Sequence, residues 1–242
     1  MTETTRPCRI GFLIFADMTQ LDFTGPYEVF ARLPGTVVNV IAKSAGPVRT
    51  DRGLVVVADS DCATCPPLDV IVVPGGPGQQ ALMDDAEVLG FLQAQSKSAR
   101  YVTSVCTGAL VLGAAGLLRG YRATTHWLSL PLLEMFGAIP VDARVVTDRN
   151  RITGGGITAG IDFGLRVAAV LCGETAAQQI QLQMEYRPEP PFDAGSPATA
   201  PKAVVDAVRR ASAPLQETRW KFANRWRKEW MARDNPSVAR AG

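Results

Sequence analysis

Three features of the sequence predict an α/β protein with a mostly parallel sheet sandwiched by helices. Short β-branched runs at 9–15, 37–42, 69–73 and 101–105 alternate with segments at helical spacing. Those runs are nearly continuous in apolar residues, as strands covered on both faces must be. The stretch 101–118, YVTSVCTGALVLGAAGLL, passes from strand to helix without a proline or a polar loop.

The elements follow in order. RIGFLIF at 9–15 is a first strand, and its loop leads to Asp22-Phe23-Thr24-Gly25-Pro26. Pro26 suits the first turn of a helix running to about Leu33, with Thr24 or Asp22 as its cap. A second strand occupies 37–42, and 48–58 reads as a hairpin because Asp51-Arg52-Gly53 has turn chemistry. The strand 69–73 ends at Pro74-Gly75-Gly76-Pro77-Gly78, and a helix over 87–99 leads into the 101–118 stretch.

Beyond it the pattern predicts a short strand at 123–125, a helix at 129–136 and strands at 141–147 and 151–153. Gly154-Gly155-Gly156 opens a helix at 158–171, and another follows at 174–186. The proline-rich 187–201 reads as an extended linker. A helix at 203–212 and a basic, Trp-rich stretch come last. There Phe222, Trp226 and Trp230 recur at i, i+4, i+8, an apolar stripe for a second subunit or for the core. The division is therefore an α/β domain over 1–187 and a linker with a helical extension over 188–242. Because an exposed stripe of that kind is an aggregation liability, the tail is expected to make a homodimer.

Composition narrows the function. Hydrophobic content of 47 % and charged content of 20 % are those of a soluble globular domain. No apolar run is long enough to cross a bilayer, and the first residues lack a signal-peptide pattern. Residues 201–242 carry ten Lys/Arg against four Asp/Glu, so a net charge of +2 hides a basic tail. That tail shows no clear helix-turn-helix pattern, and a solvated helix face explains it without nucleic acid. The five cysteines are an odd, scattered set, which suggests a reducing compartment and hence the cytoplasm. Cys62-Ala-Thr-Cys65 is a lone CxxC without a second ligand pair, so no metal site is expected. Neither GxGxxG nor GxxxxGK[ST] occurs, so no nucleotide cofactor is expected.

The candidate chemistry centres on Cys106. A strand that becomes a helix within one or two residues forces the turning residue into strained backbone geometry, tolerated beside the small Gly108 and Ala109. The thiol then sits at a helix N-terminus, where the dipole and free N–H groups favour thiolate. In a parallel sheet, sites form at the carboxyl ends of strands. Asp22, Gly75-Gly76, Cys106 and Gly154–Gly156 all follow strand ends and should converge. Asp22 is either a helix cap or a buried carboxyl beside the thiol; in the second case its pKa should be raised, leaving it a proton donor. His126 is the one histidine, distant in sequence from Cys106, and it reads better as a structural residue than as a base.

VPGGPG at 73–78, SVCTGALVLGAAGLL at 104–118, ATTHW at 123–127, TGGGITAGID at 153–162 and LDFTGP at 21–26 together resemble the ThiJ/PfpI superfamily over about residues 9–187. The resemblance implies a flavodoxin-like, class I glutamine-amidotransferase-like sheet. Many members place His directly after the nucleophile, where this chain has Thr107, and much of the superfamily has Glu where this chain has Asp22. Those two departures, with the long linker, are similar to the branch that hydrates isocyanides. The expected reaction is hydration of organic isocyanides to N-substituted formamides through a Cys106 thioimidate, without cofactor or metal. Asp22 would relay protons, and the backbone N–H groups of Gly76 and Thr107 would steady developing charge. The Thr107 hydroxyl would orient water or Asp22, while Gly155 and Ile157 would wall an apolar substrate pocket. Other expectations on the same scaffold are a ligand-sensing or redox-responsive protein and a glyoxalase-like α-ketoaldehyde hydratase.

Overall fold

The computed structural model describes residues 6–234 of the chain, with side chains to Met231. The last part of the basic tail therefore lies outside the described residues. Seven strands form the main sheet in the order β10-β11-β7-β6-β1-β2-β5. They are β1 (Cys8–Leu13), β2 (Thr36–Ala42), β5 (Ser60–Asp61), β6 (Val70–Val73), β7 (Tyr101–Val105), β10 (Val145–Asp148) and β11 (Arg151–Gly154). All neighbouring pairs are parallel except β10 with β11. The expected hairpin is present as β3 (Gly46–Arg49) and β4 (Val55–Ala58), and β8 (Arg122–Ala123) pairs with β9 (Ile139–Pro140).

The central strands are buried throughout, with all four residues of β6 shielded from water, because helices cover both faces. The helices are α1 (Gln20–Phe30), α2 (Gln79–Met83), α3 (Ala86–Ser96), α4 (Gly108–Ala114), α5 (Ala159–Cys172), α6 (Glu174–Gln183) and α7 (Lys202–Asp234). Helix α1 packs on α5 and α5 on α6. Helix α4 packs on α2, α3 and a 3₁₀ segment, Trp127–Phe136, which α7 covers. From β1 the chain runs outward to β2 and β5, then returns to β6 on the other side of β1. The crevice where strand order reverses lies between β1 and β6, the position at which such sheets bind ligands.

Four expectations change. Helix α1 starts at Gln20, so Asp22 stands inside it rather than capping it, and Pro26 lies beyond its first turn. The segment expected as an α-helix over 129–136 is 3₁₀, starting at Trp127, with Pro131 inside it denying a backbone donor. The strand expected over 141–147 is shorter, Val145–Asp148. The tail is one continuous helix rather than a short helix and a loose stretch, and it passes through Pro214.

The aromatic stripe of α7 is covered by its own chain. Phe222 and Ala223 are buried, and Trp226 donates its indole N–H to the Ala114 carbonyl at 3.1 Å. The Trp226 ring lies 4.9 Å from Phe136 and stacks on Trp230 at 5.8 Å. Such aromatic burial offsets the proline's cost of roughly 3 kcal/mol. The inference of a dimer from an exposed stripe therefore fails, since the stripe is an intramolecular contact.

Candidate functional site

Cys106 directly follows β7 with φ = 55°, a left-handed conformation rare for a residue with a side chain. Its surroundings hold it there. The Cys106 N–H donates to the Gly154 and Gly155 carbonyls at 3.0 and 3.1 Å, and its carbonyl accepts from the Thr125 hydroxyl at 2.7 Å. The turn is tight because residue 108 is glycine: a Cβ there would come within 2.0 Å of the Val73 carbonyl oxygen. The elbow read from the sequence is thus built by contacts with β6 and β11, both its neighbours in chain space only after folding.

Asp22 enters from α1 and is fully buried. Its Oδ2 accepts from the Gly75 N–H at 3.2 Å, and its carboxyl hydrogen-bonds the Cys106 thiol. Oδ1 has no partner among the described residues. Burial raises the Asp22 pKa to about 7, against the lowering effect of its bonds to Cys106 and Gly75; Asp51 adds a small upward push. A carboxyl in this state keeps its proton over much of the neutral range and can donate it.

The thiol itself departs from expectation. Burial pushes Cys106 well above the ordinary thiol range, and the charge of Asp22 pushes the same way. The Thr107 N–H and, more weakly, Arg219 act in the opposite direction. The helix N-terminus favours thiolate but is outweighed here, because Cys106 is only 5 % exposed and its sulfur loses hydration. When Asp22 holds a proton it ceases to repel the sulfur and becomes a donor to it. The two groups therefore titrate as a coupled pair.

The remaining sequence-predicted residues take distinct places. The Thr107 hydroxyl accepts from the Gly76 N–H at 3.0 Å, so that N–H is already engaged and is not an open donor for developing charge. The Thr107 N–H points to the sulfur. Gly155 is buried, its N–H bonded to the Arg144 carbonyl at 2.9 Å. Ile157 is 37 % exposed just ahead of α5, at the surface rather than within an enclosed apolar pocket. Two clefts of about 510 and 680 Å³, one between α3 and α7 and one over α5 and α6, lie away from Cys106.

Sequence reasoning missed two contributors, Thr125 and Arg219, while Gly75 and Gly156 reach the elbow as the strand-end rule expected. A Cβ on Gly156 would stand 3.0 Å from the Cys106 sulfur and 2.5 Å from His126 Cδ2, so sulfur and imidazole both line this glycine. Burial lowers the His126 pKa to about 4, aided by Arg219, and its Nδ1 accepts from the Leu128 N–H at 3.4 Å. A neutral imidazole so engaged is a structural neighbour of the thiol. Arg219 did leave a signal, being the one cation on the buried face shared by Phe222, Ala223 and Trp226. Among the described residues no group of three His, Cys, Asp or Glu side chains is placed to hold a metal.

The model of the DJ-1/PfpI family matches residues 8–170, two thirds of the chain and all of the elements that meet at Cys106 except α7. The chain belongs to the DJ-1/PfpI family. It is 55 % identical over 217 residues to an isonitrile hydratase from Pseudomonas putida, covering 90 % of this chain and 95 % of that one. A transcriptional regulator of the HTH type, GbdR from Pseudomonas aeruginosa, is 31 % identical over 68 % of this chain but only 47 % of its own length. Among solved structures, a ThiJ/PfpI family protein from Pseudomonas syringae superposes with a TM-score of 0.88 at 46 % identity, over 90 % of both chains. Drosophila DJ-1beta shares the fold with a TM-score of 0.68, covering 74 % of this chain and 98 % of its own. The match to the family model ends at residue 170, within α5 and ahead of α7.

Proposed function

We propose that this chain hydrates organic isocyanides to N-substituted formamides, with Cys106 as nucleophile and Asp22 as proton relay. The observation that carries the reading is the buried carboxyl of Asp22 against an elbow thiol whose neighbouring imidazole is neutral and engaged elsewhere. It agrees with the activity for which the Pseudomonas putida relative is named.

The terminal carbon of an isocyanide bears a lone pair and accepts a nucleophile. The Cys106 sulfur forms a bond to it, and the Asp22 proton passes to the same carbon, leaving a neutral thioimidate and an Asp22 carboxylate. Water then adds. Asp22 takes a proton from it as the C–O bond forms and hands that proton to the imidate nitrogen. In the last step Asp22 removes the remaining hydroxyl proton, the carbonyl forms, and the C–S bond breaks with its electron pair returning to sulfur. Formamide leaves, and the starting state, one proton on Asp22 and one charge on Cys106, is restored. No electron is gained or lost overall. Thr107 contributes its N–H to the sulfur and uses its hydroxyl to pin the Gly76 loop. Gly155 and Ile157, ahead of α5, would be where the organic substituent rests.

Incubation of the purified protein with neutral alkyl and aryl isocyanides, with formamide followed by chromatography, tests the reading. Formamide release that is lost in Cys106→Ala supports it. Isocyanides that survive unchanged while an α-ketoaldehyde is hydrated overturn it. The same reading makes the chain a cytoplasmic homodimer; its five unpaired thiols fit a reducing compartment. With the α7 stripe covered, the exposed Leu54, Val55 and Val57 of the β3–β4 hairpin offer the apolar surface for a second copy. Light scattering of the chain and of Val57→Glu tests that surface, and a monomeric parent chain removes the dimer.

A further inference from the structure

Arg219 is a buried cation without an obvious anion. It is 4 % exposed, and its guanidinium lies under the 3₁₀ segment that follows His126. Its Nη1 is 3.3 Å from the Ser129 hydroxyl. With the Gln216 amide turned to satisfy its neighbours, the amide oxygen accepts from Nη1 at 2.9 Å, and the amide nitrogen donates to the Ser129 hydroxyl and the Leu128 carbonyl, each at 3.2 Å. Its Nε has no partner, and no carboxylate forms an ion pair with it among the described residues. A guanidinium so placed is strongly disfavoured unless a negative charge stands within reach of its field.

The groups around the reaction centre narrow the source of that charge. Cys106 is faced by Asp22 from α1, by His126 from the loop ahead of the 3₁₀ segment and by the Thr107 N–H from its own elbow, while Arg219 of α7 meets the His126 turn through Ser129, whose N–H donates to the His126 carbonyl at 2.8 Å. Asp51, in the turn of the β3–β4 hairpin, acts on Asp22. Only Cys106 and Asp22 can put negative charge at the centre, and Cys106 is the group whose charge Arg219 feels.

We propose that Arg219 is the counter-cation of the Cys106 thiolate, a positioning residue brought to the site by the C-terminal helix. The charge count rests on the function proposed above. In that cycle one negative charge is always present, on sulfur before attack and on Asp22 while the thioimidate exists. A fixed guanidinium lowers the energy of the state with the charge on sulfur without having to move. Ser129 and Gln216 aim it, and its location on α7, outside the 8–170 segment matched by the family model, makes the extension part of the reaction centre.

The test reads the thiol, not the isocyanide, so that its failure is separable from failure of the functional reading. In the full-length protein, the rate of Cys106 alkylation by iodoacetamide is followed against pH by mass spectrometry, for the parent chain, Arg219→Met and Arg219→Lys. Met removes the charge while filling the space with an apolar chain. The expected result is an Arg219→Met limb displaced to higher pH, with alkylation at pH 7 slowed about tenfold for each unit of displacement. Arg219→Lys should recover most of the rate. Identical limbs in all three proteins overturn the proposal. A second measurement needs no variant. Iodoacetate and iodoacetamide are competed on the parent chain, with Cys172, an exposed thiol, as the internal reference. A cation at the site predicts that the anionic reagent is favoured at Cys106 relative to Cys172; equal or reversed preference overturns it, whatever the folding of the variants.

Discussion

Cys106 and the Cys62–Cys65 pair are thiols of one chain in opposite circumstances. Cys62 and Cys65 lie half-buried after β5, where burial and the nearby acids raise them to about 12 and about 11. Glu87 presses on the first and Asp59 on the second, and their sulfurs meet weak partners, the Ala42 and Pro66 carbonyls and, at Cys65, the Gln95 amide. Cys106 is buried more deeply than either, and burial raises it too. What differs is the company: an N–H from Thr107, a carboxyl that carries a proton, and a guanidinium. Burial alone makes a thiol inert; burial with donors that answer only the charged form makes a site whose reactivity depends on each donor.

The sharpest way to break this contrast is to remove one sulfur at a time. Cys106→Ala should lower formamide release by at least about 10⁴-fold, as loss of a nucleophile does. A Cys62→Ser, Cys65→Ser double variant should stay within about twofold of the parent rate, since neither thiol lies near the reaction centre.

Asp22→Asn comes next. Asn keeps the shape and can still accept from the Gly75 N–H, but it supplies no proton, and turnover should fall by about 10²–10⁴-fold. Stability should move the other way. The folded pKa is raised to about 7, so the unfolded chain gives up its proton first, and stability is lost as pH rises from about 4 to about 7. The Asn variant escapes that loss and should be more stable above pH 7, by on the order of 4 kcal/mol, in urea titrations. A variant less stable than the parent at pH 8 would remove the case for an unpaired, destabilising carboxyl.

A smaller effect concerns labelling. Brief iodoacetamide treatment of the folded protein at pH 7 should modify Cys106 at least about 10²-fold faster than Cys62 or Cys65. Equal labelling would mean that the donors around Cys106 do not outweigh its burial. The smallest effect belongs to His126. Its folded pKa is lowered to about 4, so its contribution is fully present above about pH 6.5 and lost as pH falls through 4, on the order of 3 kcal/mol. Between those values this slope opposes that of Asp22, and the parent chain should show little net pH dependence there. Asp22→Asn should unmask a stability that rises with pH over that window, and His126→Gln should unmask one that falls.

The residues that could be read in advance are those whose structure depends on near neighbours. The 101–118 stretch declares strand, turn and helix within eighteen letters, because backbone strain and side-chain periodicity act over a few residues. The alternation of runs likewise implied a parallel sheet, and a parallel sheet implied that the strand ends converge. Asp22 illustrates the boundary. Its place after the first strand was legible, but cap and buried acid remained equal readings of the residues until α1 was seen to begin at Gln20.

Folding settled what depends on separation in space. Thr125 reaches the elbow from the loop after β8, and Arg219 is over a hundred residues from Cys106 along the chain. The stripe of Phe222, Trp226 and Trp230 shows the same limit: period 3.6 requires that it be covered, by a second subunit or by its own core, and periodicity does not distinguish the two. Contact with Phe136 and the Ala114 carbonyl does. Hydration sets the last example. A helix N-terminus beside Cys106 is a local feature and favours thiolate, whereas loss of water around its sulfur is a property of the packed molecule and outweighs it.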